Sequence, residues 1–369
     1  MIKINEIIKV LKKNNVDFFT GVPDSILKSL SSYLEKNNKK KHIIATNEGS
    51  AIAIGIGHYL STENLPVIYL QNSGLGNIVN PVVSIAHKKV YGIPMLLFVG
   101  GRGAPNLSDE IQHKVQGRIT LDLLNLIGIK YCIINNKNFA KQLTNILRHS
   151  KKNKQPVACL FKKGDLQAYE KENFFKQRIS NKLIRRENFL KKFISLNKNY
   201  KVVATTGFTS RELYQIREKY NTKLGNDFYM VGGMGHTSMV AFGYSMFSNK
   251  KVVCLDGDGS FLMHLGSAGV IARHAKKNYK YILLNNGCHE SVGGQPTIAS
   301  NINIKKFSNS LGYKNYYLLS KESNINSTLK RFLKSKGPSF LEVKIRKGSL
   351  KKLLRIKNLK KIKKAFIYK

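Results

Sequence analysis

The stretch KVVCLDGDGSFLMHLGSAGVIARHAKKNYKYILLNNG, residues 251–287, reads as strand, helix, strand. Two aliphatic runs, 251–255 and 281–284, flank a helical pattern over 261–276. Short apolar runs bounded by glycine and polar residues are the pattern of buried strands. A parallel crossover is right-handed and returns both strand ends to one edge of the sheet, the edge where α/β folds bind ligands. Asp258 falls just past the first strand and Asn286 just past the second, so their oxygens can meet one cation. Carboxylate, amide, backbone carbonyl and phosphate oxygens are the hard donors that Mg²⁺ takes. Gly257 and Gly259 let the backbone approach a bulky anion, and Ser260 opens a helix whose free amide groups favour phosphate. The plain alternative is an ordinary tight turn in which Asp258 only caps the helix.

The same alternation extends outward in both directions. Strands are expected at 18–22, 42–46, 66–71, 94–99, 131–134 and 157–161, with helices between them such as 25–35, 51–60 and 139–149. After a polar stretch the pattern restarts, with strands at 201–205, 228–231, 251–255, 281–284, 316–319 and 340–345. Helices over 210–219, 237–247 and 261–276 separate them. Strands alternating with amphipathic helices form a parallel sheet covered on both faces. The expected fold class is α/β, with two doubly wound parallel-sheet domains and no middle domain. Their expected extents are 1–170 and 186–348, joined by a linker at 171–185 and followed by a basic C-terminal tail at 349–369.

Composition narrows the class further. A chain of 369 residues is long enough for two cores, and 42% hydrophobic content with 29 glycines suits a globular α/β protein. No apolar run approaches the length of a membrane span, and the opening MIKINEIIKVLKKNN is an amphipathic helix with lysines throughout rather than a leader sequence. A cytoplasmic location is expected. Cys132, Cys159, Cys254 and Cys288 lack metal spacing and read as buried thiols. The formal charge of +42 arises from 63 basic and 21 acidic residues spread along the chain, without a basic-aromatic nucleic-acid module. It is read as a surface lysine bias that attracts anionic ligands, and no specific nucleic-acid partner is expected. A catalytically silent nucleic-acid-binding protein stays open as the rival of another class.

GDGS, the crossover helix and NNG together resemble the thiamine-diphosphate and Mg²⁺ motif of the 2-oxo-acid decarboxylases and acetolactate synthases. The resemblance implies that Asp258, the Asn286 side chain and the Cys288 carbonyl hold Mg²⁺, with Gly257, Gly259 and Ser260 at the diphosphate. It also identifies VGGMGHTSMVAFG as the segment lining the cofactor: Gly232 and Gly235 make room, and Met234 supports the cofactor's bent conformation. Simple core packing is the other reading of Met234. Glu48, in IIATNEGSAIAIGIG, matches the glutamate that hydrogen-bonds the aminopyrimidine ring and so activates the cofactor. An isolated carboxylate among Ala, Ile and Gly is costly unless bonded, although a helix N-terminus alone also favours an acid there. The family's fold is a pyrimidine-type domain followed by a diphosphate-type domain. Its sites lie between subunits, which implies a homo-oligomer.

Within that family, TGVPDSILK, QNSGLGNIVNP, GRGAPNLSDEIQHKVQG, TTGFTSREL and NNGCHESVGGQPT resemble the phosphonopyruvate decarboxylases. The implied reaction is non-oxidative decarboxylation of 3-phosphonopyruvate to phosphonoacetaldehyde and CO₂ through a thiamine diphosphate ylide, a step of phosphonate biosynthesis. A dianionic substrate calls for Arg, Lys, His and amide donors. The candidates are Arg102, Lys114, Ser291 and Gln295 for binding, with His113 and His289, placed in polar loops, for proton transfer. Arg102 has an alternative role in bracing its own loop through Asp109 or Glu110. Glu290 departs from the family, where a shorter aspartate is common. Sulfopyruvate decarboxylation is the rival within the enzyme class.

Overall fold

The structure is a computed structural model describing residues 1–103, 109–169, 183–197, 199–220 and 226–368. Most of the expected linker, 171–182, and part of the GRGAPNLSDE segment, 104–108, lie outside the described residues. The described chain forms two compact units, one before and one after that linker, with Val292–Gln295 clustering with the first.

In the first unit six parallel strands run β1 (Phe19–Gly21), β2 (His42–Ile44), β3 (Val67–Gln71), β4 (Met95–Gly100), β5 (Lys130–Ile133) and β6 (Pro156–Phe161). Their order across the sheet is β2-β1-β3-β4-β6-β5. Side chains alternate across a strand, so neighbouring residues serve opposite faces. Tyr69, Phe98 and Phe161 accordingly join one core with Leu11 and Leu147, while Leu70, Leu97 and Leu160 join another with Ile52 and Leu124. The helix Ile4–Lys13 buries Ile4, Ile7, Ile8 and Leu11 on one stripe. Each such side chain contributes roughly 1.5–3 kcal/mol on full burial, so the stripe outweighs the modest intrinsic stability of a ten-residue helix.

The second unit repeats the plan with β7 (Tyr200–Ala204), β8 (Asp227–Tyr229), β9 (Lys251–Gly257) and β10 (Tyr279–Asn285). A small ribbon, β11 (Cys288–His289) with β12 (Gln295–Pro296), precedes β13 (Asn315–Leu319) and β14 (Ser339–Lys344). The main sheet runs β13-β14-β10-β9-β7-β8, the same connectivity as the first sheet read from its other edge. Two switch points of matching topology therefore exist, one per unit.

Three elements differ from expectation. The helix expected over 25–35 starts later, at Lys28, because the Asp24 carboxylate takes the Ile26 and Leu27 N–H groups and holds the chain in a turn. The crossover helix of 261–276 starts at Asp258 and is broken: Asp258–Met263 and Ser267–His274 flank a turn closed by the Ser267 N–H on the His264 carbonyl. The basic segment after β14 ends in a helix, Leu359–Tyr368, whose Ile362 and Phe366 are buried in the second unit. There Phe366 lies against Phe228 and Tyr244, and Lys201 Nζ donates to its carbonyl at 2.9 Å. Lysines on one face do not stop a helix from docking by the other. No helix among the described residues is long and apolar enough to cross a membrane.

Candidate active site

At the carboxyl edge of the first sheet, Asn47 caps the helix Glu48–Thr62 by accepting the Ser50 N–H at 2.8 Å. The cap fixes the first turn, and Glu48 stands in it, only 6% exposed. Its Oε2 accepts from Asn77 Nδ2 at 2.7 Å. Its Oε1 lies over Gly74, where a Cβ would sit 2.4 Å away, so any larger residue there would displace the carboxylate. The turn after β3 is thus shaped around Glu48.

A second polar group lies on the same edge. Asp24 is fully buried; Gln71 Nε2 donates to its Oδ1 at 2.7 Å, and Ser73 Oγ donates on to Gln71 Oε1 at 2.8 Å. Burial pushes the Asp24 carboxyl up, against the hydrogen bonds from Gln71, Leu27 and Ile26. Arg102 is held by Asp109 through two hydrogen bonds, 2.8 Å from Nε and 2.5 Å from NH2, and also reaches Ser25 Oγ at 3.1 Å. Asp109 therefore braces Arg102 within its loop. Burial raises the Asp109 carboxyl, but Arg102, the Glu110 N–H, His113 and the Gly103 N–H outweigh it and hold Asp109 well below the usual carboxylate range. Asn72 secures this loop, bonding both the N–H and the carbonyl of Arg102 at 3.2 and 2.9 Å.

His113 was expected in a polar loop. It lies instead in the first turn of the helix Ile111–Leu126, with Nδ1 3.0 Å from Asp109 Oδ1. Lys114, the next residue, is exposed. Gln295 is fully buried and donates from Nε2 to Ser31 Oγ at 2.7 Å.

In the second unit the ends of β9 and β10 meet as the crossover requires. Asp258 is 3% exposed; its carboxylate takes the Asn286 N–H and, through Oδ2, the Thr297 hydroxyl at 2.5 Å. Burial pushes the Asp258 carboxyl up to about 6 despite these bonds. Asn286 presents Oδ1 to the Cys288 N–H at 3.1 Å, which folds the chain back and brings the Cys288 backbone into the same corner. Burial pushes the Cys288 thiol up to about 12, so the sulfur stays protonated and the carbonyl is its useful donor.

Gly259 is the hub of this corner. A Cβ there would lie 2.9 Å from His289 Nδ1 and 3.2 Å from Met234 Cε, so the DGS turn, β11 and the loop after β8 converge on it. Ser260 Oγ accepts the Gly235 N–H at 3.0 Å and joins the DGS turn to that loop again. Gly257 and Gly232, the remaining glycines named for the cofactor, lie at the end of β9 and in the loop after β8. His289 was also expected in a polar loop, but it lies on β11, and burial lowers its imidazole to about 4. It is neutral at physiological pH. Ser291 is exposed, its Oγ facing the backbone of Gly207.

Among the described residues no three His, Cys, Asp or Glu side chains gather as a metal group. Asp258, the Asn286 amide and the Cys288 carbonyl would offer a mixed oxygen set, which suits a Mg²⁺ completed by phosphate oxygens and not an all-protein cage. The residues fit such an ion. Sequence reading missed Asp24, Gln71 and Thr297. Asp24 carried a signal, an acid directly after a strand and Pro23, whereas Thr297 lies far from Asp258 in the chain and carried none.

Comparison with known proteins places these halves in context. Residues 205–343 match the thiamine pyrophosphate enzyme, C-terminal TPP binding domain, and residues 4–126 match the N-terminal TPP binding domain of the same enzymes. A phosphonopyruvate decarboxylase of Streptomyces hygroscopicus is 30% identical, over 97% of this chain and 91% of its own. One from Streptomyces viridochromogenes is 31% identical over 95% and 90%. A sulfopyruvate decarboxylase of Methanosarcina acetivorans is 26% identical over 93% and 91%.

Proposed function

Because the chain belongs to the thiamine pyrophosphate enzyme family, and within it to the phosphonopyruvate decarboxylase group, we propose that it converts 3-phosphonopyruvate to phosphonoacetaldehyde and CO₂. The carboxylate leaves as CO₂ and one proton takes its place on the former keto carbon. The observation that carries this reading is identity of 30% or more spread over both units, together with Glu48 on the first sheet edge and the Asp258–Asn286 pair on the second.

Bound thiamine diphosphate supplies a nucleophilic thiazolium carbon and an electron sink for the cleaved bond. Glu48, held by Asn77, would keep the proton shared with the aminopyrimidine ring. Asp258, Asn286 and the Cys288 carbonyl would hold Mg²⁺, Gly259 and Ser260 would take the diphosphate, and Met234 would support the cofactor. Neutral His289 and the Asp109-linked His113 are the proton-transfer candidates. Arg102 and Lys114 add positive charge for the phosphonate, and Ser291 adds a hydroxyl donor.

Glu48 and Asp258 belong to different units, and a homo-oligomer completing each site across copies fits that division. The helix Ile111–Leu126 supports it: Ile111, Val115, Ile119 and Leu126 are 62%, 57%, 45% and 83% exposed along one stripe. Exposed apolar stripes of this kind mark interaction surfaces. A cytoplasmic location accords with four cysteines that form no disulfide.

The deciding experiment incubates the protein with thiamine diphosphate, Mg²⁺ and either 3-phosphonopyruvate or sulfopyruvate, following phosphonoacetaldehyde by ³¹P NMR and CO₂ release for both. Phosphonopyruvate is expected to turn over faster. Equal or faster turnover of sulfopyruvate overturns the substrate, and no turnover of either overturns the reaction.

A further inference from the structure

We propose that Arg186 and Glu290 are positioning residues that choose which way the Asn286 amide faces, and through it set the affinity of the second unit for a divalent cation. This deepens the reading of Asn286 as a metal ligand and rests on it. An asparagine amide has nearly the same shape either way round, with an oxygen on one side and an NH₂ on the other. A cation needs the oxygen, so the protein must choose.

The Cys288 N–H, donating to Oδ1 at 3.1 Å, favours one orientation, and the group on the other side enforces it. Asn286 Nδ2 donates to Glu290 Oε2 at 3.0 Å. A carboxylate only accepts, so the reversed amide would press oxygen against an anion. The amide oxygen is left on the Cys288 side, toward the corner shared with Asp258.

Glu290 is itself fixed on both oxygens. Arg186 NH2 donates to the same Oε2 that receives Asn286, and the Gly348 N–H donates to Oε1. Arg186 is fixed in turn: its side chain is 4% exposed, its Cζ lies 5.9 Å from the centre of the Phe208 ring, and NH1 is 3.5 Å from Glu212 Oε1. Glu212 Oε1 also takes the Leu350 N–H at 2.8 Å. One buried guanidinium thus holds two carboxylates, and the backbone after β14 closes on both. Partners one step removed from a ligand orient it in this way and typically change metal affinity about 10–100-fold when lost. Glu290 links Asn286 to Arg186 through one carboxylate oxygen, Oε2, which accepts from both.

The test uses Glu290→Gln, which keeps the shape but offers an amide that can pair with either face of Asn286. Calorimetric titration with thiamine diphosphate at graded Mg²⁺ gives the half-saturating Mg²⁺, and thermal unfolding without cofactor gives Tm. The half-saturating Mg²⁺ should rise about tenfold or more in Glu290→Gln with Tm little changed, and Glu290→Asp should recover much of it. An unchanged Mg²⁺ requirement overturns the proposal. So does a rise matched by a fall in Tm that Glu290→Asp does not relieve, since that describes a fold defect. If Glu290→Gln does not fold, Arg186→Lys, which loses the guanidinium fork, is measured by the same two criteria. Asn286→Ala separates the two layers. If it leaves the Mg²⁺ requirement intact, the ligand reading fails; if it raises the requirement while Glu290→Gln does not, only the positioning role fails.

Discussion

The two units share one strand order and differ in what stands at the carboxyl edge. After its second strand, the first unit places a caged carboxylate, Glu48, with Asn77 on one oxygen and Gly74 beneath the other. After its second strand, the second unit places the glycine-rich loop around Met234. After their third strands the contrast reverses: Asn72 secures a loop in the first unit, while Asp258 waits beside Asn286 in the second. Topology therefore decides where chemistry is possible, and the residue types at each strand end decide which chemistry it is. On the proposed function, one edge holds a proton and the other an anion with its cation.

The sharpest way to break this comparison is Glu48→Gln. Removing the acid should slow decarboxylation about 10²–10⁴-fold while calorimetric binding of thiamine diphosphate persists. If turnover survives, the first edge does not hold the working proton. Asp258→Ala addresses the other edge and should fail earlier, with Mg²⁺-dependent retention of the cofactor lost. Undiminished retention after gel filtration would count against the division of labour.

Gly74→Ala is a finer probe, since its methyl would meet the Glu48 carboxylate. Such overpacking costs roughly 1–3 kcal/mol. A fall in kcat of about tenfold, with the Mg²⁺ requirement unchanged, is expected by converting part of that strain to a barrier of ~1.4 kcal/mol. A shifted Mg²⁺ requirement would mean that the two edges are not separable.

The smallest effect concerns the far end of the second sheet. Lys280, fully buried at the start of β10, donates to Ser335 and Ser339 and lies over the Phe332 ring. Burial lowers its ammonium from the ordinary 10.5 to about 8. Between those values the unfolded chain binds more protons than the folded one, so this group makes stability rise with pH across that window. Lys280→Met should remove that rise while leaving cofactor binding unchanged, as read from Tm between pH 8 and 10. An identical pH slope in both proteins would show that Lys280 is not the titrating group.

Much of this was legible in the chain. Both sheets lie where aliphatic runs placed them, because a strand buried on two faces has no polar partner to disguise its pattern. Asp258 and Asn286 were foreseeable as neighbours because a crossover has one hand. The broken helix after Asp258 was not, since its helical period continues through the turn at His264–Gly266 and only the hydrogen bonding there reveals the interruption. The docked helix Leu359–Tyr368 was masked by its lysines, although Ile362 and Phe366 keep the spacing of a buried stripe.

The sequence alone determined the α/β class, the two-unit plan and the residues at the strand ends, since periodicity and chain direction act locally. The tertiary structure decided the partners: Thr297 for Asp258, Gln71 for Asp24, Arg186 for Glu290. Hydrogen bonds between residues far apart in the chain leave no periodic trace, because each depends on where the folded backbone brings two side chains and on nothing repeated along the sequence.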